Sequence, residues 1–259
     1  MSDKNRKPDE LVDKLKPTSL LDLANSQGEK QESPPRFDLP TSAQLQPLFP
    51  DLKIGDMIGA GGMGCVFRAT QTKLDRIIAL KVLPAELSDD DLFTERFARE
   101  ARAMARVASP HIVRVMALRE VETNPGVTGL FIVMEYVDGG DLHERMASGP
   151  LEWHELWPLL RQMLLGLEAA HAVGVVHRDI KPRNVLLTQP TGNQSPIVKL
   201  TDFGLARLTD GDATRTQAVA GTLAYMSPEQ VRSLPTLDHR SDLFSLGLTA
   251  YEALAGRLP

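Results

Sequence analysis

A single cysteine, Cys65, stands among 259 residues. An internal disulfide framework is excluded by that count, and so is any multi-cysteine zinc site. Basic residues are not in excess either: 29 Lys and Arg face 34 Asp and Glu, a formal charge of −5. That balance argues against a broad nucleic-acid-binding face. No uninterrupted run of 18 apolar residues occurs, and none follows the opening Met1-Ser-Asp-Lys-Asn-Arg-Lys. Neither a membrane span nor a secretory leader is expected from such a text, and the expected setting is reducing and cytoplasmic. What is present is an ordinary globular composition, 42% hydrophobic and 24% charged. It suffices for a sizeable core and is unlike a wholly disordered, collagen-like or coiled-coil chain.

Residues 1–50 differ from the remainder. They hold Pro8, Pro17, Pro34, Pro35, Pro40, Pro47 and Pro50, and seven Lys/Arg nearly cancel eight Asp/Glu. Few apolar residues interrupt this pattern, which predicts a disordered, Pro-rich polar tail. Ser19-Leu-Leu-Asp-Leu-Ala is either part of that solvated tail or a short docking helix. From Asp51 the character changes. Asp51-Leu-Lys-Ile-Gly-Asp-Met-Ile, Val66-Phe-Arg-Ala-Thr and Arg76-Ile-Ile-Ala-Leu-Lys-Val-Leu predict a β-meander with short turns. Ser88-Asp-Asp-Asp predicts a capped helix start, and Phe93, Phe97, Ala101, Met104 and Val107 continue it at helical spacing. Ile112–Leu118 and Leu130-Phe-Ile-Val-Met predict two further strands. Beyond Gly139-Gly140 the pattern turns helical: Trp153, Leu156, Trp157, Leu160, Leu164, Leu167 and His171 share one predicted face, with both tryptophans in the core. Short strands are predicted at Val185-Leu-Leu and Ile197-Val-Lys-Leu, and a buried helix over 242–255.

Chemistry concentrates in a few motifs. Gly59-Ala-Gly-Gly-Met-Gly-Cys-Val has the spacing of a phosphate-approaching loop, because glycines let backbone N–H groups come close to phosphate oxygens. A strand-like stretch follows it, so a dinucleotide-binding βαβ unit does not fit. Gly64-Cys65-Val66 lacks the Lys and Ser/Thr that close a Walker A loop. A Gly-rich hairpin without ligand remains the plain alternative. Lys81 lies in the apolar strand Ala79-Leu-Lys-Val. If buried it needs an anionic partner, for which Glu100, 19 residues on, is the natural candidate; otherwise it faces solvent from an edge strand. Downstream come His177-Arg-Asp-Ile-Lys-Pro-Arg-Asn, then Asp202-Phe-Gly 18 positions after Asn184, then Ser227-Pro-Glu229.

In this order the motifs resemble the eukaryotic-type protein kinase superfamily. Phe97-Ala-Arg-Glu-Ala-Arg-Ala-Met-Ala-Arg and Gly221-Thr-Leu-Ala-Tyr-Met-Ser-Pro-Glu-Gln resemble its bacterial serine/threonine branch, and the likeness runs from about Leu52 to Pro259. It implies an α+β, bilobal kinase fold: a β-rich N-lobe with one helix (51–138) and a mainly helical C-lobe (139–259). It further implies a serine/threonine protein kinase, a transferase using ATP and Mg²⁺ on Ser/Thr hydroxyls of proteins. Asp179 matches the base and Lys181 the lysine near the transferred phosphoryl group. Lys81, fixed by Glu100, matches the lysine that holds the α/β-phosphates. Asn184 and Asp202 match the Mg²⁺ ligands. Ile58 and the loop Gly59, Ala60, Gly61, Gly62, Met63 and Gly64 would cover the nucleotide. Val66, Ala79 and Leu186 would sandwich the adenine. Met134 falls at the gatekeeper, Glu135, Tyr136 and Val137 at the hinge, and Asp141 at the ribose. Met104, Val115, Phe203 and His177 match a stacked spine, Asp242 the anchor of the catalytic loop, and Thr222 a bridge to Asp179 and Lys181. Arg178 before Asp179 implies an anion-dependent activation loop. It makes Thr214 and Thr216 the expected autophosphorylation sites, with a second copy of the chain as the partner.

Other residues read more plainly. Cys65 is expected to be a small strand residue rather than a reactive thiol. His171 and His239 are expected to be structural. The 209 residues after the tail are fewer than the family's domain implies. The expectation is a C-lobe incomplete at its C-terminal helices, with Glu229 lacking its arginine partner and the 242–255 helix exposing an apolar face. A membrane anchor beyond Pro259 stays open. The alternative function is a non-catalytic pseudokinase or nucleotide-binding scaffold.

Overall fold

A computed structural model describes residues 39–61, 64–84, 91–124, 127–190, 192, 195–203, 223–232 and 237–259. The chain divides at Pro34/Pro35, and residues 35–259 form one compact unit. Five strands open it: β1 (Leu52–Gly61), β2 (Gly64–Gln71), β3 (Arg76–Val82), β4 (Val115–Asn124) and β5 (Val127–Glu135). They make one antiparallel sheet in the order β1-β2-β3-β5-β4. Helix α2 (Asp91–Ala105) sits between β3 and β4. After β5 come α3 (Leu142–Met146), α4 (Trp153–His171), the hairpin β6 (Val185–Leu187) and β7 (Val198–Leu200), the short α5 (Pro228–Val231), and α6 (Arg240–Ala255). A β-rich lobe with one helix followed by a mainly helical lobe is the architecture expected from the motifs.

Period-two alternation decides what each face of the sheet does. On β3, Ile78, Leu80 and Val82 enter one apolar cluster with Phe67, Phe131 and Val133. The intervening Ala79 joins a second cluster with Leu130, Ile132 and Met134 from β5. Lys81, two residues after Ala79, shares the second face, and it is buried. Alternation of the strand therefore aims Lys81 at the region between the lobes rather than at solvent.

The first face would be bare without residues 39–50, which the sequence pattern assigned to the tail. Thr41 caps α1 (Ser42–Leu45) in a reciprocal capping box with Gln44, and a 3₁₀ turn follows at Gln46–Leu48. Leu45 and Phe49 are buried against the sheet. The Phe49 ring meets Phe131 edge-on at 4.8 Å and 76°, a favoured aromatic geometry. Gln46 donates from Nε2 to the Leu52 carbonyl (2.7 Å) and accepts from the Ile54 N–H (3.0 Å), which ties the segment to β1. Asp51 takes a two-pronged pair from the Arg119 guanidinium. Proline content misled the sequence reading here. Pro47 sits in the first turn of the 3₁₀ segment, where its missing N–H costs nothing.

The larger core lies under the hairpin. Leu156, Leu159, Met163, Leu167 and Ala170 of α4 pack with Ile180, Val185, Leu187, Val198, Leu200 and Leu246. Trp153 and Trp157, expected in this core, are instead 56% and 47% exposed and stack on one another at 5.6 Å. The cause is visible in the sequence. Helix α4 is apolar on two adjacent stripes, and the 156/159/163/167/170 stripe won the interior because Gly166 lets it approach closely. A Cβ on Gly166 would lie 3.0 Å from the His111 carbonyl oxygen. Strand β4 begins at Val115, later than Ile112, because Ile112 and Val113 pair with Leu200 instead. On α6, Leu243, Phe244, Tyr251 and Leu254 are exposed while Leu246 and Ala253 are buried, so the exposed apolar face expected there is present and the helix is not buried throughout as its pattern suggested. No helix among the described residues is long and apolar enough to cross a membrane.

Truncating the Phe49 side chain tests the role of the N-terminal segment. Phe49→Ala is expected to lower unfolding free energy by about 3 kcal/mol, read from urea titration. An unchanged midpoint would show that the segment does not contribute to the fold.

Candidate active site

Each functional candidate reaches the interlobe region for a local reason. Lys81 arrives by strand alternation on β3. Its ammonium pairs with Asp202 Oδ1 at 2.6 Å. Asp202 sits in a left-handed conformation, φ 64°, just past the end of β7. Burial alone would raise its carboxyl, but the Lys81 ammonium outweighs burial and holds it below the ordinary carboxylate range. Glu100, the partner expected for Lys81, lies in α2, and its side chain is outside the described residues.

Asp179 follows a second strained residue. Arg178 has φ 68°, a left-handed geometry that costs a non-glycine residue about 1–2 kcal/mol. The cost is offset by Asp242 at the start of α6. This carboxylate is completely buried and accepts N–H bonds from His177 (2.8 Å, Oδ2) and Arg178 (2.7 Å, Oδ1). His171, at the end of α4, bonds the same Oδ2 at 2.7 Å, and the His239 ring lies 5.5 Å from it. His171 is thus structural, as expected. Burial would raise Asp242. The His171 bond, His177 and the two backbone N–H groups together keep it below its ordinary value.

The Asp179 carboxylate is itself oriented. Oδ2 accepts from Asn184 Nδ2 (2.9 Å) and lies 3.0 Å from Lys181 Nζ. Asn184 Nδ2 also donates to the Asp179 carbonyl (2.7 Å). Oδ1 is buried and finds no partner among the described residues. A buried carboxylate oxygen left open at the end of so ordered a network is poised to accept a proton or hydrogen bond from a molecule that is not part of the chain. Asn184 spends its NH₂ on Asp179, so the carbonyl oxygen of that side chain is what can meet a cation. With Asp202 it supplies the hard oxygen donors that Mg²⁺ takes. Among the described residues no cluster of three or more His, Cys, Asp or Glu forms a metal cage.

The apolar half of the cleft is assembled from both lobes. Ala79 and Met134 belong to one cluster, and Val66, Val137 and Leu186 pack against it. Met134 faces Ala79 and Val115 in register and lines a cavity of about 50 Å³ with Met104, Asp202 and Phe203. Ile58 on β1 is half exposed and outside that cluster. The His177 and Phe203 rings approach to 4.2 Å, joining Met104 in the main core with Val115 against it. Burial pushes the His177 imidazole below its ordinary value.

The glycine-rich stretch forms the end of the β1-β2 hairpin, pairing Gly59 with Val66, Ala60 with Cys65 and Gly61 with Gly64. Gly62 and Met63 lie outside the described residues. Gly64 is glycine for packing: φ is 113°, and a Cβ would fall 1.9 Å from the Val82 carbonyl oxygen. At Gly59 and Gly61 a Cβ would meet nothing within 4 Å, so the protein's own packing does not require glycine there. Cys65 is buried, and burial pushes its thiol up to about 11, an inert strand residue as expected.

Two residues have contacts that the motifs did not announce. Glu135 sends its carboxylate to Lys199 of β7 (2.7 Å) and accepts the Arg114 N–H (3.1 Å). The side chain therefore ties the interlobe connection to the hairpin, while the Glu135 N–H donates to the Arg114 carbonyl at 3.0 Å. Asp141 caps α3, accepting the Glu144 N–H at 2.7 Å, and bridges to Leu186; burial raises its carboxyl. Glu229, expected to lack its arginine partner, accepts from the Ser241 hydroxyl (2.8 Å). Thr214, Thr216 and Thr222 lie outside the described residues.

Two lobes that bring a buried lysine, two metal-capable side chains and an oriented carboxylate to one cleft define a phosphoryl-transfer fold. The protein kinase domain family matches residues 52–259, and the chain belongs to that family. Serine/threonine-protein kinase pkn3 of Myxococcus xanthus is 43% identical over 213 residues, 80% of this chain and 38% of that protein. Serine/threonine-protein kinase PknL of Mycobacterium bovis is 42% identical over 204 residues, 78% of this chain and 48% of that one. The chain thus spans less than half the length of these curated relatives. Among solved structures, the Mycobacterium tuberculosis PknI kinase domain superposes with TM-score 0.63 at 31% identity, over 81% of this chain and 76% of that chain. Rad53 1-466 in complex with AMP-PNP gives TM-score 0.63 at 30% identity, over 82% of this chain and 50% of that one.

The depressed Asp242 carboxyl has a pH consequence. Its ionised form is favoured by folding, so its contribution is complete above the ordinary value of 3.8 and is lost as pH falls through the lower folded value. Asp242→Asn is expected to lower stability at neutral pH by about 2 kcal/mol and to flatten the acid limb below pH 3.8. Circular dichroism melts across pH check this, and an acid limb identical to wild type would rule it out.

Proposed function

We propose that this chain is the catalytic domain of a serine/threonine protein kinase that transfers the γ-phosphoryl group of ATP to protein hydroxyls. The observation that supports it most is the open Oδ1 of Asp179, held in place by Asn184 and Lys181. A Ser or Thr hydroxyl gives its proton to that oxygen as its own oxygen bonds to the γ-phosphorus. The bond from γ-phosphorus to the bridging oxygen breaks, and ADP leaves with its electron pair. Positioning and charge neutralisation do most of this work. Lys181, beside Asp179, balances charge where the phosphoryl group passes. Lys81 would hold the α/β-phosphates, with Glu100 as its second partner. Val66, Ala79, Met134, Val137 and Leu186 would enclose the adenine, with Ile58 at the rim and Asp141 toward the ribose. Gly59 and Gly61 leave space for phosphate oxygens to approach backbone N–H groups. Asn184 and Asp202 would hold Mg²⁺, which when bound neutralises charge on the β- and γ-phosphate oxygens. Lysine at position 181 is the feature that favours Ser/Thr over Tyr acceptors. Thr214 and Thr216 are the proposed autophosphorylation sites, acting on a second copy of the chain, with Arg178 as the phosphate partner.

Incubation with γ-labelled ATP, Mg²⁺ and casein tests the reading. Wild type is expected to label casein and itself, and Asp179→Asn to lower kcat by about 10²–10⁴-fold. Nucleotide binding without transfer in wild type would instead support a scaffold. Phosphopeptide mapping is expected to place the autophosphates on Thr214 and Thr216, and absence from both would refute those sites.

A further inference from the structure

We propose that Gln230 is a positioning residue for Asp179, a role that rests on the reading of Asp179 as the base. The peptide unit between Arg178 and Asp179 is planar, and both of its polar groups are tied. Its N–H, on Asp179, points to His177 Nδ1 at 3.3 Å. Its carbonyl, on Arg178, accepts from Gln230 Nε2 at 2.7 Å. The Arg178 N–H on the preceding unit is held by Asp242. Asp242 and His177 therefore secure one side of this strained link, and Gln230 secures its carbonyl. Rotation of that plane would swing the Asp179 carboxylate away from Lys181 and Asn184.

The other end of the Gln230 amide is also occupied. Its Oε1 accepts the Ser227 N–H at 3.0 Å, and its own N–H reaches Ser227 Oγ at 3.4 Å. This is the capping box of α5. The single amide thus acts as an acceptor toward α5 and a donor toward the catalytic loop, a pairing that only a primary amide of this length supplies here. Ser227 is completely buried, and Ser245 holds the carbonyl of nearby Tyr225. Glu229, the neighbour of Gln230, is bonded to Ser241 on α6. The segment bearing Gln230 is accordingly anchored to the same helix that carries Asp242. The seating of α5 is thus transmitted to the base through one hydrogen bond, from Gln230 Nε2 to the Arg178 carbonyl.

Gln230→Glu separates the two duties. A carboxylate keeps the acceptor that the capping box needs, but it has no hydrogen to donate and sets an oxygen against the Arg178 carbonyl. Gln230→Ala loses both. The full chain is assayed with γ-labelled ATP, Mg²⁺ and casein, alongside thermal melts and hydrogen exchange of the peptide spanning 177–184. Gln230→Glu is expected to melt with wild type and keep KM for ATP while kcat falls about 10- to 100-fold. Exchange should rise in the 177–184 peptide and stay unchanged in α6. Unchanged kcat in an active wild-type background overturns the proposal. So does a fall in kcat that appears only with a matching fall in melting temperature, because that marks a purely structural role. If wild type transfers no phosphate, the kinase reading fails separately. The exchange experiment then decides alone, and unchanged exchange in Gln230→Glu overturns the positioning role.

Discussion

Asp242 is a carboxylate with no exposed surface, and the geometry of the catalytic loop hangs on it. It accepts two backbone N–H groups and a histidine, and those bonds keep it ionised in the interior. A buried charge is tolerable only when donors replace its lost water. The arrangement works in both directions. The donors stabilise the carboxylate, and the carboxylate stabilises a left-handed Arg178 that would otherwise relax. Asp179 follows directly, so its placement is inherited from a charge that never touches the cleft.

The second constraint is the sheet's alternation. One face holds Ala79, Lys81 and Met134 toward the interlobe region; the other holds Ile78, Leu80 and Phe131. Such a two-faced sheet needs cover on both sides. The helical lobe and α2 serve the first face. The segment 39–50, with Phe49 against Phe131, serves the second. The family's match begins at Leu52, and this cover lies just N-terminal to it. The Lys199–Glu135 pair then braces the connection between lobes, next to the apolar cluster of Val66, Ala79 and Leu186.

Much of this was legible in the residues. Strand and helix patterns located β1, β2, β3, β6, β7 and α6, because alternation and turn chemistry are local. The motif residues Lys81, Asp179, Lys181, Asn184 and Asp202 were legible as a set, and the fold brings them to one place. Other features were not. Phe49 and Leu45 looked like tail because prolines surround them. Pro47 occupies a helix start, where proline fits. Trp153 and Trp157 looked buried because two apolar stripes of α4 compete, and local periodicity cannot rank them. Gln230 was legible only as the end of a family-like motif, since an amide that caps a short helix reads the same whether or not its Nε2 finds a carbonyl 52 residues earlier.

The sequence by itself determined the kind of chemistry available: a phosphate-approaching glycine hairpin, a lysine in an apolar strand, and an ordered set of carboxylates and amides. It did so because spacing within strands, turns and motifs is a short-range property. Only the tertiary structure decided the partners. Lys81 meets Asp202 across 121 residues, and Asp242 meets Arg178 across 64. Contacts at such separations depend on how the apolar surfaces of two lobes are buried together, and no local pattern encodes that choice.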